Sequence, residues 1–162
     1  MKNEEKRTTA MRAELEVEDQ LISAIIDTGA AVSVITDKLR RKLNIPIFGK
    51  SKFRCTIANG QKIAALGKVN ITIRYKDELE IIREIEVIES KEEDLILGND
   101  IWKLFKTKIN YEEEIMEVEE EGEIITIPIR YEREIIYESE ESEGEYESND
   151  EREVYKIYQD FK

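Results

Sequence analysis

The sequence predicts an all-β domain, a small closed barrel-like sheet with one or two short helices and an acidic, disordered C-terminal tail. Three observations lead there. Short alternating or continuous apolar runs recur from Met11 to Ile129, separated by turn-forming residues. Only two stretches, Thr36 to Leu43 and Asn99 to Phe105, combine a capping residue with helical spacing. From about Glu132 the chain passes into E-S-E-E-S-E-G-E-Y-E-S-N-D-E, too polar and too charged to build a core. The 162 residues suffice for one domain with a sizeable core and are marginal for two. The expected division is 1–10 as a disordered N-terminus, 11–130 as the folded domain and 131–162 as the tail.

The elements follow in order. Met11, Ala13, Leu15 and Val17 alternate with Arg12, Glu14 and Glu16, which reads as a half-buried strand. Glu18-Asp19-Gln20 forms a turn. The nearly continuous apolar run from Leu21 to Ile26 then returns as a strand buried on both faces, delivering Asp27 at its end. Val32 to Ile35 is a further short strand. Thr36 caps a helix through Leu43, with Leu39 and Leu43 on its inner face, and Pro46 prevents continuation. Strands are expected at Phe53–Ala58, Lys62–Leu66, Val69–Tyr75, Leu79–Ile88 and Leu95–Leu97. Asn59-Gly60 is a tight-turn signal between the first two, because both residues tolerate positive φ. Asn99 or Asp100 caps a second helix, Ile101 to Phe105, whose Trp102 reads as packing. Strands at Lys106–Asn110, Glu114–Val118 and Glu123–Ile129 complete the domain. Near the C-terminus Val154, Ile157, Tyr158 and Phe161 share one helical face, although a frayed tail is the favoured reading there.

Composition excludes several chemistries. The chain has no histidine and a single cysteine, Cys55, so Ser-His and Cys-His nucleophiles, His-ligated metals, zinc ribbons and disulfide frameworks are ruled out. Cys55 lies in an alternating apolar run and reads as a packed thiol. No metal or other cofactor is expected. The net charge of −13 is unevenly spread: residues 1–110 carry 20 basic and 18 acidic residues, whereas residues 111–162 carry 5 and 20. A basic stripe with interleaved aromatics is missing, so nucleic acid is not an expected partner. The charged start of the chain lacks the apolar core of a signal peptide, and no apolar run approaches the ~18 residues of a membrane span. The compartment is unknown from sequence, with an intracellular, cytoplasmic setting favoured over secretion.

The residue that asks for an explanation is Asp27. A carboxylate at the end of a buried strand is partly desolvated and costly to ionise alone. It becomes useful opposite a second carboxylate about 3 Å away, because the two then share one proton. The charged member can take a proton from water while the protonated one donates to a carbonyl oxygen. Thr28 can lock the loop through its hydroxyl, and Gly29 and the small Ala30 let backbone approach closely.

The stretch D-T-G-A-A-V-S-V-I, preceded by L-I-S-A-I-I, resembles the active-site loop of retropepsin-type aspartic proteases, the retroviral, retrotransposon and related cellular group. Downstream, D-L-I-L-G-N-D-I-W resembles that family's second signature, and C-T-I-A-N-G-Q-K-I lies where the family has its flap. The resemblance covers roughly residues 11 to 130. It implies an aspartic-type endopeptidase with Asp27 as the catalytic aspartate, Thr28 bracing two subunits' loops, and Gly29 and Ala30 completing the active-site loop. It further implies that Gly29 accepts hydrogen bonds from substrate backbone, that Ala58, Asn59 and Gly60 form the flap tip, and that Gly98 packs near the catalytic loop. Only one D-T-G occurs, so the implied enzyme is a homodimer acting on a peptide or polyprotein substrate. Retroviral members have an acidic residue after D-T-G-A and an arginine after the later glycine. Here Ala31 and Asn99 stand instead, which fits the retrotransposon or cellular branch. Two other readings stand beside this one: a catalytically inactive protease-like module for dimerisation or peptide binding, and a bare β-barrel scaffold with an acidic interaction tail. Asp100 is a possible second carboxylate, but a helix N-cap explains it better.

Overall fold

The computed structural model describes residues 3–56 and 60–138, with side chains over 10–56 and 60–131. In chain order the elements are β1 (Asn3–Val17), β2 (Gln20–Ile26), β3 (Val34–Thr36), α1 (Asp37–Lys42), β4 (Arg54–Thr56), β5 (Lys62–Ala64), β6 (Gly67–Tyr75), β7 (Leu79–Ile88), β8 (Leu95–Leu97), α2 (Asn99–Trp102), β9 (Lys108–Asn110), β10 (Ile115–Glu120), β11 (Glu123–Pro128) and β12 (Arg130–Glu138). Six strands close a ring in the order β1-β2-β8-β3-β7-β6, because β6 pairs back onto β1 at Glu16↔Arg74 and Val17↔Ile73. This is the small closed barrel that the run of short strands predicts. Among the described residues, no helix is long and apolar enough to cross a membrane.

Period-two patterning fills the ring. Ala13, Leu15 and Val17 of β1, Val69, Ile71 and Ile73 of β6, and Leu79, Ile81 and Ile85 of β7 point inward and are buried. The three-residue strands β3 and β8 lie in the middle of the sheet and are buried at every position, which explains their uninterrupted V-I-T and L-I-L runs. A separate sheet, β11-β10-β9, closes one side of the core with Met116, Val118, Ile125 and Ile127. Hairpin turns use positive φ where expected. Glu18 (49°) and Asp19 (65°) join β1 to β2, and Glu121 (51°) and Gly122 (82°) join β10 to β11, the mirror-image geometry that follows strand twist. Thr36 caps α1 as expected, its hydroxyl accepting from Leu39 N–H and also from Asp94 N–H.

Several expectations are corrected. β2 is not buried on both faces. Leu21 is exposed, and Ile22, Ser23 and Ile25 are half-buried, because only one face of β2 meets the barrel core. β1 starts at Asn3, and β12 pairs with it antiparallel from Asn3↔Glu138 to Arg12↔Arg130. In this strand pair each segment satisfies the other's backbone groups. The second helix begins at Asn99, and Gly98, with no side chain to cap it, is its N-cap. Residues 139–162, including the acidic run and the face formed by Val154, Ile157, Tyr158 and Phe161, lie outside the described residues.

The packing makes a direct prediction. Ile73→Ala, at a fully buried β6 position, is expected to lower stability by about 2–5 kcal/mol. Ile82→Ala, on the outward face of β7 and 66% exposed, is expected to stay within about 0.5 kcal/mol of wild type. Chemical denaturation of both variants checks the inward and outward assignment.

Candidate active site

The chain reaches the site through an unusual crossing. β2 and β3 are consecutive in sequence, yet β8 lies between them, parallel to β2 and antiparallel to β3. The loop from Asp27 to Ser33 must therefore arch over the end of β8. Asp27 follows the last residue of β2, and its backbone N–H donates to the Leu97 carbonyl at 2.9 Å. The Asp27 carboxylate is half-buried and accepts from the Gly29 N–H at 2.9 Å. The Ala30 N–H closes the turn onto the Asp27 carbonyl at 3.2 Å. Thr28 and Gly29 are exposed on the rim, and Ala30 is fully buried beneath it.

The segment after β8 clamps this loop. Gly98 lies directly under Ala30: a Cβ built on Gly98 would sit 2.6 Å from the Ala30 carbonyl oxygen, so only glycine fits. Asn99 N–H donates to the Ala30 carbonyl at 2.8 Å, and the Asn99 side-chain amide donates to the Thr28 carbonyl at 2.5 Å. Below them Ser33, fully buried, makes a double connection. Its hydroxyl donates to the Asp100 carboxylate at 2.6 Å and accepts from Gly98 N–H at 2.9 Å, while Ser33 N–H donates to the other Asp100 oxygen at 3.1 Å. Arg83 of β7 lies 3.7 Å from the same carboxylate. Trp102 anchors α2 by donating from its indole N–H to the Leu97 carbonyl at 2.8 Å.

Of the residues singled out in the sequence, Asp27, Thr28, Gly29, Ala30 and Gly98 thus come together in one loop-on-loop unit. Gly60 lies apart, exposed in the β4–β5 connection with φ +85°, and Ala58 and Asn59 lie outside the described residues. The hairpin nevertheless reaches the site through its base. Cys55 is the packed thiol expected, and with Phe53 and Ile63 it joins Ala30, Val34, Ile88 and Ile96 in a second small apolar cluster. Asp100 is not the helix cap expected of it; it is taken up by Ser33 and Arg83. Sequence reasoning passed over Ser33, although a lone hydroxyl inside A-A-V-S-V-I carried a signal, since a buried polar side chain must find a partner. Among the described residues, no group of three or more His, Cys, Asp or Glu could hold a metal ion.

Chemically, the unit presents one half-buried carboxylate at a shallow rim, held by a backbone N–H and framed by two exposed, small loop residues. Asp100 is committed elsewhere, so this chain brings no second carboxylate to the rim among its described residues.

Comparison with known proteins agrees with this architecture. Residues 13–103 match the family model described as gag-polyprotein putative aspartyl protease. The retroviral protease-like domain of Ddi1 from Leishmania major superposes with a TM-score of 0.57 at 18% identity, covering 76% of this chain and 96% of that one. A retropepsin-like aspartic protease from Rickettsia conorii superposes with a TM-score of 0.46 at 14% identity, covering 86% and 95% of the two chains. The EIAV protease in complex with the inhibitor HBY-793 superposes with a TM-score of 0.46 at 23% identity, covering 61% and 90%. No curated protein matches the sequence.

The clamp can be tested by itself. Ser33→Ala removes the hydroxyl and leaves the Gly98 N–H and an Asp100 oxygen unpaired, so a loss of about 1–3 kcal/mol is expected. Gly98→Ala should cost at least as much, because a backbone carbonyl occupies the space. Thermal unfolding of the two variants, compared with the rim variant Thr28→Ser, measures the difference.

Proposed function

The chain belongs to the gag-polyprotein aspartyl protease family, and from that premise we propose that it is an aspartic-type endopeptidase, assembled as a homodimer with one Asp27 from each copy. The observation that carries this reading is the unpartnered state of the site. Asp27 is held at an exposed rim by Gly29 N–H, and Asp100, the carboxylate of the segment that clamps this loop, is bound to Ser33 and faces Arg83. A water-activating pair then needs a second Asp27, and a two-fold axis through the rim supplies it in the same geometry.

In the dimer the two carboxylates would share one proton. The ionised member takes a proton from a water molecule, which attacks the scissile carbonyl. The protonated member donates to the carbonyl oxygen, giving a tetrahedral diol. Collapse of the diol transfers a proton to the leaving amine and returns the pair to its starting state. No covalent intermediate forms. The Thr28 and Gly29 rim supports the reading by leaving room for an extended peptide, and the β4–β5 hairpin would cover it from above, gripping the peptide as an added strand. Ala58, Asn59 and Gly60 would form the tip of that cover.

Because only the singly protonated pair works, the activity should follow a bell-shaped pH profile with its maximum on the acid side of neutral. The test is cleavage of an unstructured protein from about pH 4 to 7, with oligomeric state measured by sedimentation in the same buffers. Asp27→Asn is expected to abolish cleavage while leaving dimerisation and the unfolding midpoint in place. A chain that stays monomeric at high concentration would overturn the proposal. A dimer whose weak cleavage is indifferent to Asp27→Asn would instead mark the chain as an inactive, peptide-binding relative of the proteases.

A further inference from the structure

On β7 the alternate positions facing the barrel interior are Leu79, Ile81, Arg83, Ile85 and Val87. Four are buried aliphatics, and the fifth is an arginine. Arg83 stands directly across from Ile71 of β6, itself buried, so the register places its stem on the core side. A leucine or isoleucine there would continue the apolar row. The guanidinium meets the Asp100 carboxylate, Nη2 to Oδ2, at 3.7 Å, too long for a hydrogen bond. Its Nε is buried and meets no acceptor among the described residues. An ion pair so sparsely hydrogen-bonded seldom offsets its desolvation, and an apolar side chain in its place is often neutral or stabilising. The stability of the barrel therefore does not account for Arg83.

What Arg83 can supply is direction. Ser33 holds Asp100 by both oxygens, its hydroxyl donating to Oδ1 at 2.6 Å and its backbone N–H to Oδ2 at 3.1 Å. The two bonds coexist at one orientation of the carboxylate about its Cβ–Cγ bond, and rotation breaks both. Arg83 faces Oδ2 from β7, and its charge favours the orientation that turns this oxygen toward it. From Ser33 the connection continues without a gap. The same hydroxyl accepts from Gly98 N–H at 2.9 Å, and Gly98 packs against Ala30. Asn99 holds the carbonyls of Ala30 and Thr28 through its backbone N–H and its side-chain amide. The turn so fixed carries Gly29, whose N–H donates to the Asp27 carboxylate.

We propose that Arg83 is a positioning residue for the Asp27 loop. It locks the Asp100 carboxylate in the orientation that Ser33 binds, and through Ser33, Gly98 and Asn99 it sets how rigidly the loop presents Asp27. That the loop is catalytic rests on the proteolytic reading, whereas the hold of Arg83 on the loop does not. Misplacement of a reacting group by about 1 Å is enough to slow chemistry severely. The loss should fall on kcat rather than KM, because the direction of the Asp27 carboxylate counts in the transition state.

Two measurements on the full-length chain test this. The first is amide hydrogen exchange in Arg83→Met, which keeps an unbranched apolar stem and removes the charge. The Ser33 and Gly98 amides are expected to exchange about tenfold faster, while those of the β10–β11 ladder keep their rates. The second is cleavage of an unstructured protein at concentrations spanning KM. Arg83→Met should lower kcat about tenfold with KM unchanged. Arg83→Lys, which restores the charge, should return kcat to within about threefold of the natural chain. Asp100→Asn should also lower kcat, and Arg83→Met added to it should lower it no further, because the carboxylate through which Arg83 acts is gone. Additive losses, a lysine that fails to rescue, or Ser33 and Gly98 amides that keep their rates in Arg83→Met would overturn the proposal. So would an Arg83→Met chain that does not fold, since Arg83 would then be needed for the barrel itself. Exchange that responds as expected in a chain without Asp27-dependent cleavage would retain the hold on the loop and remove the protease.

Discussion

The geometry of this molecule depends on the buried hydroxyl of Ser33. A strand inserted between two consecutive strands forces a loop to cross its end, and such a loop has no ladder of its own to hold it. Ser33 supplies the hold by bonding the Asp100 carboxylate and the Gly98 amide together. The carboxylate is made tolerable in a half-buried setting by two bonds from Ser33 and by Arg83 nearby. With that knot tied, Gly98 can sit against Ala30, Asn99 can hold the carbonyls of Thr28 and Ala30, and Asp27 is fixed at the rim.

This arrangement divides labour between two apolar clusters. The large one fills the ring and carries most of the stability. The small one, built on Ala30, Val34, Cys55, Ile88 and Ile96, connects the Asp27 loop to the base of the hairpin. Since Ala30 belongs both to the D-T-G-A loop and to this cluster, a change of packing under the hairpin is felt at the rim. Close packing makes such a connection stiff.

Charge is organised on the same plan. The barrel body is nearly neutral, but its cations concentrate between Lys38 and Lys76 and its carboxylates dominate after Asn110. Folding places Lys52 and Arg54 in and before β4, whose Cys55 packs in the small apolar cluster with Ala30. Surface charge of this kind contributes little to the fold, and its interactions are screened by salt.

Much of this was legible in the amino-acid order. Period-two alternation marks β1, β6 and β7, continuous V-I-T and L-I-L runs mark the central strands, and Thr36 marks the start of α1, because burial and capping act within a few residues. Asp27 stood out as a carboxylate ending an apolar strand and Gly29 as a residue that lets backbone approach, whereas Gly98 was marked only by the resemblance to the retropepsin-type family. Other features arise between distant segments and have no local signature. The burial of β2 on one face only, the pairing of Asn3–Arg12 with Arg130–Glu138, and the diversion of Asp100 from helix cap to partner of Ser33 each depend on residues at least 60 positions apart. The sequence by itself determined which strands could form and which residues were chemically unusual. Only the tertiary structure decided which strand lies between which, and therefore that Asp27 stands at the rim while Asp100 is taken up by Ser33 and Arg83.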